Sequence, residues 1–69
     1  MNEYSFKKKY RIGAKVRIIK PLEGYELYFN HILTIKGYYS SMVFGVTSFL
    51  VEENSIEWYP EEVEILKEE

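Results

Sequence analysis

The chain has 69 residues, no cysteine and a net charge of −2. Neither a disulfide framework nor a thiolate zinc site can stabilise it, so we expect one small domain whose core depends on its seven Tyr, four Phe and one Trp. No apolar run reaches the length of a membrane span and nothing resembles a secretory signal, which favours a cytoplasmic protein without a membrane partner.

The first half of the chain predicts two strands separated by a long loop. Residues 1–11 are polar with scattered aromatics, which predicts a flexible or capping N-terminal arm, either loose or a short strand. Apolar and basic side chains alternate over residues 14–19, which is typical of a half-buried strand. An aromatic loop follows at 20–30, and a second strand at 31–36 is expected to end at Gly37.

The second half predicts several short strands and one tight turn. Pro60 has no N–H to donate and cannot continue a central strand, so it should begin a single 3₁₀-type turn. The remaining predicted elements are strands at 42–46, 49–52, 56–59 and 64–66, with a C-terminal tail at 67–69.

The two ends of the ordered chain suit each other as paired strands. Basic residues are concentrated in 1–20 and acidic residues in 49–69. If the first and last strands pair, Lys15 and Arg17 face Glu64, and opposite charges across strands stabilise a sheet. With five or six short strands predicted, this pairing favours an all-β, five-stranded closed barrel; the alternative is that the charge asymmetry marks a functional patch.

Three short motifs support that architecture. They are Ile12-Gly13-Ala14-Lys15-Val16-Arg17-Ile18, Phe49-Leu50-Val51 and Trp58-Tyr59-Pro60-Glu61-Glu62-Val63. Their order resembles the bacterial and phage branch of the Src-homology-3-like small β-barrels, a group that includes KOW and Tudor domains. The resemblance implies such a barrel over residues 12–66, a binding role, and a phage or mobile-element origin. The tryptophan pair of the eukaryotic signalling members and the glycine-rich turn of KOW domains are missing, so neither group's ligand is carried over.

The sequence offers no set of residues for catalysis. His31 is the only histidine, and no base is placed to activate the serines and threonines. Glu61 and Glu62 are adjacent in a predicted surface turn, where solvated charge is the default interpretation. We therefore expect no enzyme activity, no metal and no cofactor.

The aromatic content exceeds what the interior of a small barrel holds. Aromatic side chains with a polar tip are common at protein interfaces. Capping of the barrel ends is the alternative, favoured for Tyr28 and Trp58, whereas Tyr25 and Tyr39 are expected to be exposed. The predicted partner-binding residues are Tyr25, Tyr28, Phe29, Tyr38, Tyr39, Trp58 and Tyr59.

Three functions compete at this point. The first is a small protein-binding module that uses this aromatic loop face. The second is nucleic-acid binding through the basic run, with aromatic rings stacking on bases. The third is an acidic inhibitor that mimics nucleic acid through the glutamates of 52–69. The residues predicted for nucleic-acid binding are Lys8, Lys9, Arg11, Lys15, Arg17 and Lys20.

Overall fold

A computed structural model describes residues 3–66 of the chain. A short helix, α1 (Glu3–Lys9), precedes five strands. The strands are β1 (Lys15–Ile18), β2 (Ile32–Ser41), β3 (Gly45–Val51), β4 (Glu57–Trp58) and β5 (Val63–Ile65), and two 3₁₀ turns cover Glu26–Tyr28 and Pro60–Glu62. The predicted tail at 67–69 lies outside the described residues.

The five strands form one antiparallel sheet in the order β4-β3-β2-β1-β5. β4 and β5 are the edge strands, and no hydrogen-bonded ladder joins them within residues 3–66. The observed architecture is therefore a mostly β domain built on one open, five-stranded sheet. The predicted β content is confirmed. The predicted closed barrel is not, because no ladder between β4 and β5 closes the described sheet.

The predicted pairing of the chain ends is confirmed. In the β1–β5 ladder Val16 lies opposite Ile65, and Arg17 lies opposite Glu64. The 3₁₀ turn that begins at Pro60 leads directly into β5, as the sequence predicts. Because side chains directly opposite each other share a face, Arg17 and Glu64 bring opposite charges together on the outer face of the sheet.

The central hairpin differs from the prediction in two respects. β2 does not end at Gly37 but continues to Ser41, because a register shift between Ile35 and Gly37 absorbs an extra residue without interrupting the ladder. Tyr38 and Tyr39 therefore lie within a strand, and the second long loop predicted around them is absent.

The strands predicted at 42–46 and 49–52 are also wrong as drawn. Residues 42–44 form the hairpin turn, and a single strand, β3, begins at Gly45 and runs to Val51. Gly45 has a φ of 72°. Glycine adopts this left-handed conformation without steric cost, so Gly45 ends the hairpin turn.

The N-terminal segment is helical where a loose arm or a strand had been expected. Glu3 and Lys7 form an ion pair of 3.1 Å one helical turn apart. The acidic residue in the first turn and the lysines in the last turn both interact favourably with the helix dipole and stabilise the helix. Phe6 and Tyr10 are buried on the sheet. No helix in the described part of the chain is long and apolar enough to cross a membrane.

The core is one cluster of buried side chains drawn from every strand. The segment 6–14 closes one side of it through Phe6, Tyr10 and Ala14. Tyr10 stacks on Phe49 of β3 with ring centroids 5.5 Å apart. The strand residues of the cluster are Val16, Ile18, Leu33, Ile35, Val46, Phe49, Val51, Trp58 and Val63.

Candidate functional site

The long first loop closes on itself at its base. The N–H of Ile18 donates to the carbonyl of His31 at 3.0 Å, and the N–H of Asn30 donates to the carbonyl of Ile18 at 2.9 Å. Asn30 has a φ of 70°, a conformation that asparagine adopts more readily than most residues. Near the tip, Gly24 has a φ of 97° just before the 3₁₀ turn Glu26–Tyr28. These hydrogen bonds and turns give the loop a defined conformation.

The side chain of Glu62 fastens this loop to the second 3₁₀ turn. Only 1% of Glu62 is exposed. Its Oε1 accepts the N–H of Leu22 at 3.0 Å, and its Oε2 accepts the N–H of Tyr59 at 3.0 Å. Its main-chain oxygen accepts the N–H groups of Ile19 and Lys20 at 2.8 and 3.0 Å. One residue thus holds both the start of the loop and Tyr59, the residue that follows Trp58.

The expectation that both glutamates of the turn are solvated holds for Glu61 only. Glu62 is the third residue of the turn that starts at Pro60, the position from which a glutamate reaches back to the preceding N–H. Proline at the first position and glutamate at the third are a recognisable signal for this arrangement. The bond to Leu22 is not visible in the sequence because it joins residues 40 apart.

Trp58 lies fully buried beneath the loop. Its Nε1–H donates to Oδ1 of Asn54 at 3.2 Å, and the same oxygen accepts the N–H of Ile56 at 3.0 Å. The Trp58 ring lies 5.9 Å from the Tyr25 ring and 5.6 Å from the Tyr28 ring, centroid to centroid. We call Tyr25, Tyr28 and Trp58 the aromatic platform.

The platform residues differ in what they present to solvent. Trp58 is buried and Tyr28 is half-buried, in agreement with the capping favoured for both. Tyr25 remains 38% exposed, and Phe29, the next aromatic along the loop, is 54% exposed. Trp58 therefore forms the buried base of the platform, and Tyr25 and Phe29 are the exposed aromatic side chains of the first loop.

The other three predicted partner-binding residues lie elsewhere or play other parts. The Tyr38 hydroxyl donates to the carbonyl of Tyr10 at 2.6 Å, which joins Tyr38 to the N-terminal segment. Tyr39 is exposed on β2, opposite Ser48 of β3. Tyr59 is half-buried, and the charge of Glu57, together with a hydrogen bond to it, raises the pKa of the Tyr59 phenol above 10.0.

Two of the six basic candidates lie on β1, where Lys15 is hydrogen-bonded and Arg17 has an acidic cross-strand neighbour. Lys15 Nζ donates to Oγ1 of Thr34 at 2.6 Å, and the Thr34 hydroxyl donates in turn to Glu53 at 2.8 Å. Slight burial raises the pKa of Glu53, but the hydrogen bonds from the N–H and hydroxyl of Thr34 and the nearby Lys15 charge outweigh this and lower it. Arg17 lies opposite Glu64.

The remaining basic candidates are exposed but do not follow one strand. Lys8 and Lys9 lie on α1, Arg11 follows it, and Lys20 begins the first loop. Lys9 Nζ lies 5.5 Å from the centroid of the Tyr10 ring. The basic run of the sequence is thus divided between the helix, the outer face of β1 and the loop.

Within residues 3–66 no group of three or more acidic, histidine or cysteine side chains is arranged to hold a metal ion. The described part of the chain also contains no enclosed pocket. The chain matches no protein-family model, no curated protein and no solved structure. Its function is therefore argued from the geometry of its own residues.

Proposed function

We propose that this chain is a small non-catalytic binding module that holds a protein partner on its first loop, with Tyr25 and Phe29 in contact and Tyr28 and Trp58 beneath them. The observation that carries the proposal is the attachment of this loop to the buried carboxylate of Glu62. A loop ordered before binding loses less conformational entropy when a partner docks, which favours affinity.

We also propose that the domain belongs to the Src-homology-3-like barrels. Two features support this: the strand order β4-β3-β2-β1-β5, and the long strand β2, which pairs with β1 through its first half and with β3 through its second. The register shift after Ile35 is where such a strand can bend from one half of a barrel to the other.

The proposed function is tested by site-specific photo-crosslinking in the native host. A photoreactive phenylalanine analogue at position 29 should give an adduct with a defined protein, and Tyr25→Ala should abolish it. The matched control places the analogue at Tyr4, an exposed aromatic on α1. Equal adducts from both positions, or adducts to nucleic acid alone, would refute a protein-binding face on the first loop.

If these residues serve binding, their substitution must leave the stability of the domain nearly unchanged. Tyr25→Ala and Tyr39→Ala each remove a side chain more than a third exposed, so the melting temperature should change little. A large loss of stability from both variants would show that these tyrosines are structural. Tyr39 lies on β2 rather than on the loop, so its variant also tests whether the partner extends to the sheet.

Nucleic-acid binding is the second candidate, supported by the exposure of Lys8 and Lys9. It requires an affinity that falls steeply with salt. The double variant Lys15→Glu, Arg17→Glu should abolish it if the whole basic run contributes. Unchanged retention of DNA and RNA by that variant and by Lys8→Glu, Lys9→Glu would remove this candidate.

The acidic inhibitor fits the structure less well. Mimicry of a phosphate backbone needs carboxylates that are exposed to the partner. Glu62 is buried, Glu53 accepts hydrogen bonds from Thr34, and Glu57 accepts one from the Ser48 hydroxyl. Several members of the acidic run therefore serve the fold.

A further inference from the structure

The tip of the β2–β3 hairpin presents three consecutive apolar side chains to solvent. Met42, Val43 and Phe44 have relative exposures of 106%, 80% and 78%. They are more exposed than any residue of the aromatic platform. Isolated apolar residues on a surface are ordinary, but three large adjacent ones at a protruding tip indicate that something covers them.

The turn that carries these side chains does not depend on them. Oγ of Ser41 accepts the N–H groups of Val43 and Phe44 at 3.1 and 3.3 Å, and Gly45 ends the turn in a left-handed conformation. A serine hydroxyl and a glycine would shape this turn equally well around polar residues. Apolar side chains at these positions therefore contribute little to the fold.

The hairpin behind the tip is an uncharged ribbon. Residues 37–51 contain no acidic, basic or histidine side chain. In the ladders of the described residues, β1 pairs with β2 only from Ile32 to Thr34, and β4 pairs with β3 only at Phe49 and Leu50. The outer half of the hairpin thus extends beyond the ladders of its neighbouring strands, and free strand edges of this kind usually carry charges in soluble domains.

Positive charge lies behind the ribbon on α1. Lys7 Nζ is 5.4 Å from the centroid of the Tyr38 ring, and Lys8 and Lys9 are exposed on the same helix. Tyr38 precedes Met42 by four strand residues, or ~13 Å along the ribbon. Measured along the ribbon, the lysines of α1 therefore lie ~13 Å behind the tip.

Two carboxylates approach the same region, and each is engaged within the fold. Glu3 forms its ion pair with Lys7, and Glu57 accepts the hydroxyl of Ser48. Lys8 and Lys9 thus add positive charge beyond the Glu3–Lys7 pair.

We propose that the hairpin tip inserts into the interface of an anionic lipid bilayer while Lys8 and Lys9 face the headgroups. An apolar element penetrating ~5–10 Å into that interface would bring the lysines to within roughly one Debye length, ~8 Å, of the surface. This is contact with one face of a membrane and not a spanning segment, and it departs from the sequence-based expectation of no membrane partner.

The limited size of the tip favours lipid over a protein groove or a second copy of this chain. A standard protein interface buries ~800 Å² on each partner, and three side chains at the end of a narrow ribbon supply well under that area. Insertion into a bilayer interface needs only apolar side chains that protrude, with cations behind them.

Vesicle co-sedimentation of the full chain tests the proposal. The chain should bind phosphatidylcholine vesicles that contain phosphatidylglycerol, and Met42→Ser, Phe44→Ser should weaken binding about tenfold or more. Leu27→Ser is the matched control, because Leu27 is 90% exposed on the first loop and should leave binding unchanged. Lys8→Gln, Lys9→Gln should remove the preference for anionic over neutral vesicles.

A spectroscopic variant places the tip in the bilayer directly. Phe44→Trp adds an exposed indole to a chain whose own tryptophan, Trp58, is buried. On addition of vesicles, the emission of the new indole should shift to the blue and be quenched by brominated lipid. No binding by the unmodified chain, equal binding by the serine and Leu27 variants, or no quenching of Trp at position 44 would overturn the proposal. A dimer that is lost in the serine variant, without vesicle binding, would identify a second copy as the occupant instead.

Discussion

The substitution Glu62→Gln probes the attachment of the first loop most closely. The carboxylate accepts the N–H of Leu22 with one oxygen and the N–H of Tyr59 with the other. Glutamine has nearly the same shape but only one acceptor oxygen. Its NH₂ group is a donor and cannot accept a hydrogen bond from a backbone N–H. One of the two backbone donors therefore loses its partner, and the one contact that remains is no longer to a charged group.

The size of the effect follows from these bonds. A hydrogen bond to a charged group contributes about 1.5–3 kcal/mol, and an orphaned buried donor costs a similar amount. Because Leu22 is itself exposed, water can replace part of that bond, so we expect a loss of about 2 kcal/mol in the free energy of unfolding. For a domain of this size, that corresponds to a fall in the melting temperature of roughly 10 °C.

Urea and thermal denaturation measure this loss, with Glu61→Gln as the control. Glu61 precedes Glu62 and is exposed, so its variant should stay within about 0.5 kcal/mol of the unmodified chain. Amide hydrogen exchange at Leu22 should accelerate in Glu62→Gln only. Equal stability of the two variants would refute the attachment of the loop through a buried carboxylate.

Three further predictions follow from single features of the fold. Trp58→Ala should destabilise the domain by about 3–5 kcal/mol because the indole is fully buried, and an unaltered denaturation midpoint would contradict that burial. Gly24→Ala should cost about 1–2 kcal/mol because φ is 97° there, whereas Gly37→Ala, without a positive φ or nearby atoms, should be nearly neutral. The pKa of Glu53 is lowered below 4.5 on folding, so its stabilisation is complete above that pH and is lost as the pH falls through the folded-state pKa. The stability gap to Glu53→Gln should therefore be constant at neutral pH and shrink in acid, and a gap independent of pH would contradict the role of Thr34.

The features predicted correctly are those that local chemistry determines. Alternation of apolar and basic residues around Val16 marks β1, and the missing N–H of Pro60 marks the 3₁₀ turn before β5. Matching charge at Arg17 and Glu64 then predicts that these strands pair, as they do. The two element assignments need only a few neighbouring residues, and the pairing adds a comparison of charge between the two ends of the chain.

The errors arise where the outcome depends on distant contacts. Gly37 is typical of a strand end, but pairing with β3 carries the strand past it through a register shift. α1 is too short to show a helical period, and it is held by Phe6 and Tyr10 packing on the sheet. The carboxylate of Glu62 also meets a donor 40 residues away, the N–H of Leu22, and no local pattern indicates that contact.

A two-dimensional proton NOE spectrum of the free chain tests the preformed binding face most directly. Cross-peaks between the Trp58 indole and the rings of both Tyr25 and Tyr28 should appear in the absence of any partner. If those cross-peaks are missing while contacts between Val16 and Ile65 are present, the sheet is formed but the loop is not docked on Trp58, and the proposed binding surface does not exist before binding.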